Sequence, residues 1–365
     1  MKRRIVLIVL AVCLAAGGAL YWATRAEPRY EKYSTTFFSF DTVISIIGYA
    51  PDLNTFENVT KKAEERFMEL HCLYDKYNAY EGVVNLYTVN TMAASRPVKV
   101  PDDLYDLIKY SHDMVPVTKD TVNIALGPVL LLWHDAREAA IANPAAAYLP
   151  GIQELQAADQ HTDLGKLVLN DAQKTVFFED PAMQLDVGAV AKGYAAEVVA
   201  QEMLKGPMPS FIINAGGNVR TGHPPRDGRP NWGVAVQDPD GYVSGDGVSD
   251  VLDILFLHDT SVVTSGDYQR YFEYQGKRYH HIISPVTLMP TDFFRSVSIV
   301  TESSAYADLL STCLFLMPYE EGRVFVESLE GVEALWILND RSIRMTDGLK
   351  DKASSQGASN PNPNQ

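Results

Sequence analysis

A chain of 365 residues, 46% hydrophobic and 21% charged, has material for a large core and excludes a collagen-like, coiled-coil or globally disordered protein. With 31 Lys and Arg against 46 Asp and Glu, the net charge is −15. Such a surface repels nucleic acid and anionic lipid at long range, yet leaves room for a phosphorylated ligand in a locally positive pocket or on a metal ion.

The chain opens with Lys2, Arg3 and Arg4, followed by an uncharged stretch from Ile5 to Ala23 and closed by Arg25. About 20 apolar residues span a bilayer as a helix. The basic flank predicts a cytoplasmic N-terminus with the rest of the chain outside, and Tyr21 and Trp22 suit the interfacial belt. An uncleaved anchor over residues 1–26 is the preferred reading, since no good Ala-x-Ala-like cleavage pattern is present. A cleaved signal peptide is one alternative. A lipoprotein is the other, although Val12 precedes Cys13 where a lipobox has a small residue. Beyond this segment only Cys72 and Cys313 remain, both in apolar contexts, which predicts buried small hydrophobes rather than a disulfide framework.

After a polar tether, "TTFFSFDTVISIIGYA" alternates in strand fashion. Helical spacing follows in "TFENVTKKAEERFMELHCLYDKY", then in "PDDLYDLIKYSHDMV" behind Pro101, and in a third helix after Gly127-Pro128. "KTVFFED" reads as a strand, and "LDVGAVAKGYAAEVVAQEML" as a glycine-bearing turn running into a helix. The second half is richer in strands, interrupted by the helix "SSAYADLLSTCLFLM" with Ser303 or Ser304 as N-cap. "GVEALWILNDRSIRMTDGLK" predicts a closing hairpin turning at Asn339-Asp340. Strands and helices mix without strict alternation, which predicts one α+β body over residues 30–350 with largely antiparallel sheets rather than a Rossmann sheet. From Asp351 the polar tail 351–365 reads as disordered.

Four segments carry residue types suited to chemistry. In "LDVGAVAKGYAAE", Asp186 precedes a turn that feeds a helix N-terminus near Lys192; this suits phosphate, or is an ordinary cap with a surface lysine. In "INAGGNVRTG", paired glycines between Asn214 and Asn218 permit a close backbone approach, or simply a tight turn. His280 and His281 end a strand and point to opposite faces, so one faces the interior or a site. Asp308 and Thr312 lie four apart on one helix face, a carboxylate and hydroxyl able to serve Mg²⁺ beside phosphates; alternatively, Asp308 only favours the helix dipole. By themselves these residues support a pocketed phosphate or metal site and no more.

Together, in this order, "LDVGAVAKGYA", "INAGGN", "SGDYQRY" with "HHIISP", and "SVSIV" with "ADLLSTCLF" resemble the FAD:protein FMN transferase family, the ApbE-type flavin transferases, from about Phe37 to Met317. The resemblance implies two lobes around a central FAD cleft. It implies FAD contacts at Phe40 (where the family has methionine), Tyr77, Thr121, Val122, Asn123, Asp186, Lys192 and Ile282. It implies a Mg²⁺ site from Ala189, Asp308, Ser311 and Thr312, with Ala189 acting through its carbonyl. His281 matches the family's functionally important histidine and is the first candidate base; Asp186 is the second. Two departures stand near it: Ser284 replaces an aspartate expected to support His281, and Leu288 replaces a glycine.

The implied reaction is Mg²⁺-dependent transfer of FMN from FAD to a threonine of an acceptor protein, with AMP released. The implied acceptor is a membrane or extracellular redox protein, on the outer face of the cell membrane where the anchor would hold the enzyme. FAD pyrophosphatase activity and a non-catalytic flavin-binding lipoprotein are the rival readings.

Overall fold

The computed structural model describes residues 30–244 and 251–362. The expected anchor over residues 1–26 lies outside them, and among the described residues no helix is long and apolar enough to cross a membrane.

The first strand-like run is two strands, not one. β1 (Glu31–Ser39) and β2 (Thr42–Ala50) pair antiparallel with Ser39 opposite Thr42. The two residues between them, Phe40 and Asp41, have φ of 52° and 53°. This is the left-handed pair that a tight hairpin turn demands. Aspartate tolerates that region and phenylalanine does not, which is why alternation alone concealed the turn. Phe40 is held there by its ring, edge-on to His71 at 5.4 Å and to Phe67 at 6.4 Å.

Helix α1 (Leu53–Tyr74) is capped by Asp52, whose carboxylate accepts from the Thr55 N–H at 2.7 Å. Its Phe56, Ala63, Phe67 and Leu70 recur at helical spacing and are buried. Then come α2 (Leu86–Met92), capped by Asn85, β3 (Val98–Lys99) and α3 (Asp102–Asp113). Next are α4 (Gly127–Ala142), α5 (Ile152–Asp159), β4 (Leu167–Asn170) and β5 (Thr175–Phe178), with β3, β5 and β4 forming a small antiparallel sheet. α6 (Ala191–Leu204) leads into the hairpin of β6 (Phe211–Ala215) and β7 (Asn218–Thr221). β8 (Trp232–Gln237), α7 (Pro239–Ser244), β9 (Val251–Leu257) and β10 (Ser261–Gly266) follow. β11 (Tyr271–Tyr274) pairs with β12 (Lys277–His280). The chain then runs through β13 (Phe294–Thr301), α8 (Ser304–Phe315), α9 (Tyr319–Glu327), β14 (Glu333–Leu338), β15 (Ile343–Met345) and α10 (Asp347–Lys350).

Eight strands form the central sheet in the order β1-β2-β6-β7-β10-β13-β14-β15, every neighbouring pair antiparallel. The α+β expectation is met. Side chains alternate between the two faces, as the pleat requires. On β14, Ala334 and Trp336 join the main core with α1, α6 and α8, while Leu335 and Ile337 join a second core against β8 and β9. A third apolar cluster, from Trp133 and Leu155 to Phe272 and Leu288, ties α4 and α5 to the β11–β12 hairpin. The closing hairpin forms as expected, with Leu338 and Ser342 hydrogen-bonded across its turn.

The tail corrects the sequence reading. Residues 351–362 lie against the second core rather than free: Ala353 bridges Leu255, and Asn360 exchanges hydrogen bonds with Asn231. Buried Asp253 organises this segment, accepting from Ser354 Oγ at 2.8 Å, Ser355 N–H at 3.0 Å, Ser355 Oγ and the Ile254 N–H. Low hydrophobicity concealed the order because polar side chains, not apolar ones, pin the tail. Desolvation pushes the Asp253 carboxyl up, but these donors outweigh it and hold it below the usual carboxylate range. A carboxyl depressed in the fold adds stability above its unfolded pKa, and that stability is lost as pH falls through the folded value. Asp253→Ala is expected to lower stability near pH 7 by about 2 kcal/mol. Urea melts of both proteins should converge as the pH is taken below the carboxylate range.

Candidate active site

Two helix ends make the centre of the site. Asp186 begins the turn into α6; its carboxylate accepts from the Gly188 N–H at 2.8 Å and its own N–H donates to the Ile124 carbonyl at 2.7 Å. One turn into α6, the Gly193 N–H donates to Asp308 Oδ2 of α8 at 2.7 Å. A Cβ on residue 193 would stand 2.4 Å from both the Asp308 Cβ and the Ser304 carbonyl oxygen, so the helices meet this closely only through glycine.

Asp308 is 5% exposed. Desolvation pushes its carboxyl up, opposed by the Lys192 charge, the Gly193 N–H and the Asn218 amide. Asn218 turns that amide dipole toward Asp308, yet its buried Nδ2 makes no hydrogen bond of normal geometry. Hydroxyls from α8 and β10 gather one turn further along the same helix. Ser311 Oγ donates to the Asp308 carbonyl at 2.9 Å and sits 2.8 Å from Ser265 Oγ, which is 3.4 Å from Thr312 Oγ1. Ala189 is partly buried in the turn before α6. A buried, under-compensated carboxylate among hydroxyl oxygens fits a hard divalent cation such as Mg²⁺. Among the described residues there is no cluster of three or more His, Cys, Asp or Glu, so Asp308 would be the single carboxylate and phosphate oxygens would complete the shell.

The Lys192 charge bears on both Asp308 and His281. The two histidines diverge as expected. His280 is buried; its Nε2 donates to the Thr291 carbonyl at 2.6 Å and its Nδ1 accepts the Ile282 N–H at 3.2 Å. That pattern assigns a neutral, structural imidazole. His281 presents Nδ1 to the Arg270 carbonyl at 3.1 Å, and a carbonyl only accepts, so Nδ1 carries the proton and Nε2 keeps its lone pair. Desolvation, then the charges of Arg270, His280 and Lys192, lower the basicity of His281, but the side chain is exposed, so water screens much of that effect. Ile282 is buried beneath it.

Ser284 does not support His281 by a hydrogen bond. Its hydroxyl accepts from the Val286 N–H at 3.2 Å and the Thr287 N–H at 3.3 Å, closing a local turn. Leu288, at φ 59°, takes the left-handed conformation that glycine would favour. Its carbonyl accepts from Trp133 Nε1 at 2.9 Å, which fixes the loop against α4.

The remaining predicted contacts divide in two. Asp186 and Tyr77 come together through Lys76, whose Nζ is 2.6 Å from Asp186 Oδ2 and 4.7 Å from the Tyr77 ring centre. Desolvation pushes the Asp186 carboxyl up, but Lys76 and the Gly188 N–H outweigh it and hold the group below the usual carboxylate range, a weak base with both oxygens engaged. Thr121, Val122 and Asn123 spend their side chains within the protein. Thr121 Oγ1 donates to the Thr118 carbonyl at 2.6 Å, Val122 is buried, and Asn123 caps the following turn and donates to the Thr162 carbonyl at 2.8 Å. That segment can offer a ligand its backbone; Asn123 also lines a cavity of about 330 Å³ with Thr162 and Leu164.

The hairpin turn at Phe40 meets the glycine turn between β6 and β7. Gly216 and Gly217 have φ of 59° and 93°, and a Cβ on Gly216 would lie 2.4 Å from Thr42 Oγ1. Gly216→Ala therefore meets backbone strain and a clash at once. It is expected to lower stability by about 1–3 kcal/mol, checked by the shift of the denaturation midpoint.

Sequence reasoning missed Lys76, Ser265 and the role of Asn218. Lys76 stands directly before Tyr77 in "DKYNAYEG", and Ser265 lies within "TSGDY", but only the fold shows what either faces.

Comparison with known proteins agrees with this geometry. Residues 40–336 match the ApbE family. Over 354 residues the chain is 34% identical to the FAD:protein FMN transferase of Treponema pallidum (strain Nichols), with 94% of each chain covered. It is 30% identical over 256 residues to the FAD:protein FMN transferase of Klebsiella pneumoniae (strain 342), covering 70% of this chain and 75% of that one. The crystal structure of the ApbE protein from Thermotoga maritima MSB8 is similar with a TM-score of 0.76 at 27% identity, over 88% of this chain and 99% of that one. The flavin transferase ApbE from Vibrio cholerae shares the fold, with a TM-score of 0.71 at 23% identity over 90% of this chain and 98% of that one. The match spans the hairpin turn at Phe40, the α6–α8 junction and the His281 loop, and on that extent the chain belongs to the ApbE family.

Proposed function

We propose that the chain transfers the FMN half of FAD onto a threonine hydroxyl of an acceptor protein, with Mg²⁺ as the resident cation and AMP as the leaving product. The observation that carries this reading is the buried Asp308 carboxylate held against the start of α6 by the Gly193 N–H, together with His281, whose Nδ1 is engaged and whose Nε2 is free. Its support from relatives is that the Treponema and Klebsiella proteins are FAD:protein FMN transferases.

FAD would lie across the start of α6, between Asp186 and Asp308. Asp308, Ser311, Thr312 and the Ala189 carbonyl would hold Mg²⁺, which when bound neutralises diphosphate charge. The chain's own groups do the rest. Lys192 draws the anionic diphosphate to the α6 N-terminus, whose dipole favours it. His281 Nε2 receives the threonine proton while its Nδ1–H, held by Arg270, keeps the ring oriented. The threonine oxygen bonds to the FMN-side phosphorus as the bond to the AMP oxygen breaks.

The basic, apolar N-terminal stretch would anchor this domain on the outer face of the membrane, beside a membrane or extracellular redox protein as acceptor. The test is incubation with FAD, Mg²⁺ and an acceptor domain. Mass spectrometry should find FMN on the acceptor threonine with AMP released in equal amount. Free FMN beside an unlabelled acceptor would sink transfer in favour of hydrolysis.

A further inference from the structure

We propose that Lys76, which the motifs do not assign, is a positioning residue that sets Asp186 for FAD binding. The inference rests on the reading above that Asp186 contacts FAD.

Lys76 is presented by a tied loop rather than a loose one. The preceding Asp75 accepts from the Tyr77 N–H at 2.6 Å, the Asn78 N–H at 3.1 Å, the Asn78 amide at 2.9 Å and the Tyr80 hydroxyl at 2.8 Å. Those four bonds fix the residue that follows α1. Its ammonium then reaches Asp186 Oδ2 at 2.6 Å, with both side chains mostly buried, at 12% and 14% exposure. Tyr77 lies against the same ammonium, and the Tyr77 ring stacks on His134 of α4 at 4.8 Å. Asp186 Oδ1 is taken by the Gly188 N–H, so both carboxylate oxygens are fixed in direction.

A buried ion pair is a poor source of net stability, because desolvation offsets most of the attraction. What such a pair does supply is orientation. Lys76 clamps the carboxylate that opens the α6 turn, three residues before Ala189, and does so from the end of α1. Without the ammonium, Asp186 retains one backbone donor and is free to rotate about it.

The experiment compares Lys76→Met, Lys76→Arg, Asp186→Asn and the Lys76→Met/Asp186→Asn double variant. FAD affinity is read by flavin fluorescence without acceptor, and kcat and KM are read separately by acceptor labelling. Lys76→Met is expected to weaken FAD binding roughly tenfold with a much smaller change in kcat, and Lys76→Arg to recover most of it. The double variant should bind no worse than Asp186→Asn alone, because the lysine acts through the aspartate. Wild-type FAD affinity in Lys76→Met with only a lowered melting temperature, or losses that add in the double variant, would overturn the proposal. Because affinity is measured without acceptor, failure of the wild type to label any acceptor counts against the transfer reading and leaves this result standing apart.

Discussion

Asp308→Asn is expected to cut FMN transfer by at least about 10³-fold while leaving the melting temperature unchanged or slightly raised. The two halves of that expectation have one cause. Asp308 is buried, and its anion is met by the Gly193 N–H together with the Asn218 amide and the charge of Lys192. Asparagine keeps the shape and an oxygen for the Gly193 N–H, so the close α6–α8 junction survives. It removes the carboxylate that, among the described residues, would hold a hard cation beside the Ser265, Ser311 and Thr312 hydroxyls. Transfer is read by acceptor labelling across a Mg²⁺ titration, and the fold by thermal melting. Labelling at the wild-type rate would remove Asp308 from the mechanism. A lost fold would show instead that the carboxylate is structural.

His281→Ala should lower kcat by about 10²–10⁴-fold while changing FAD affinity little, the range expected when a positioned general base is removed. His281 donates through Nδ1 to the Arg270 carbonyl, so only Nε2 is left to take a proton. The pH dependence has a definite sign. The active form is the neutral imidazole, and desolvation with the neighbouring charges moves its pKa down from the ordinary histidine value near 6.5. The wild-type rate should therefore stay flat as pH falls through the ordinary range and decline only below it. A rate that halves near pH 6.5 would show an unperturbed histidine, or a different base. Loss of FAD binding with kcat preserved would make His281 a ligand contact.

Much of this site is legible in the sequence. Asp308 and Thr312 share a helix face because a helix repeats every 3.6 residues, and the diverging His280 and His281 follow from the two-residue repeat of a strand. Both are local consequences of backbone geometry. Other features depended on neighbours distant in sequence. Lys76 and Asp186 meet across 110 positions, and no periodicity encodes that encounter. Ser284 stands where the family has an aspartate, yet it closes its own turn by accepting from the Val286 and Thr287 N–H groups.

By itself, the sequence determined the α+β class, the helices and strands that bear the site, and the family, since these rest on short-range pattern and on ordered motifs. Only the tertiary structure decided which histidine is spent on the core and which keeps a free nitrogen. It also split the first run into a hairpin and ordered the tail through Asp253. The physical reason is common to all three. Hydrogen-bond partners and a left-handed Phe40 are chosen by packing, which pays for local strain and assigns each proton only once the chain has closed on itself.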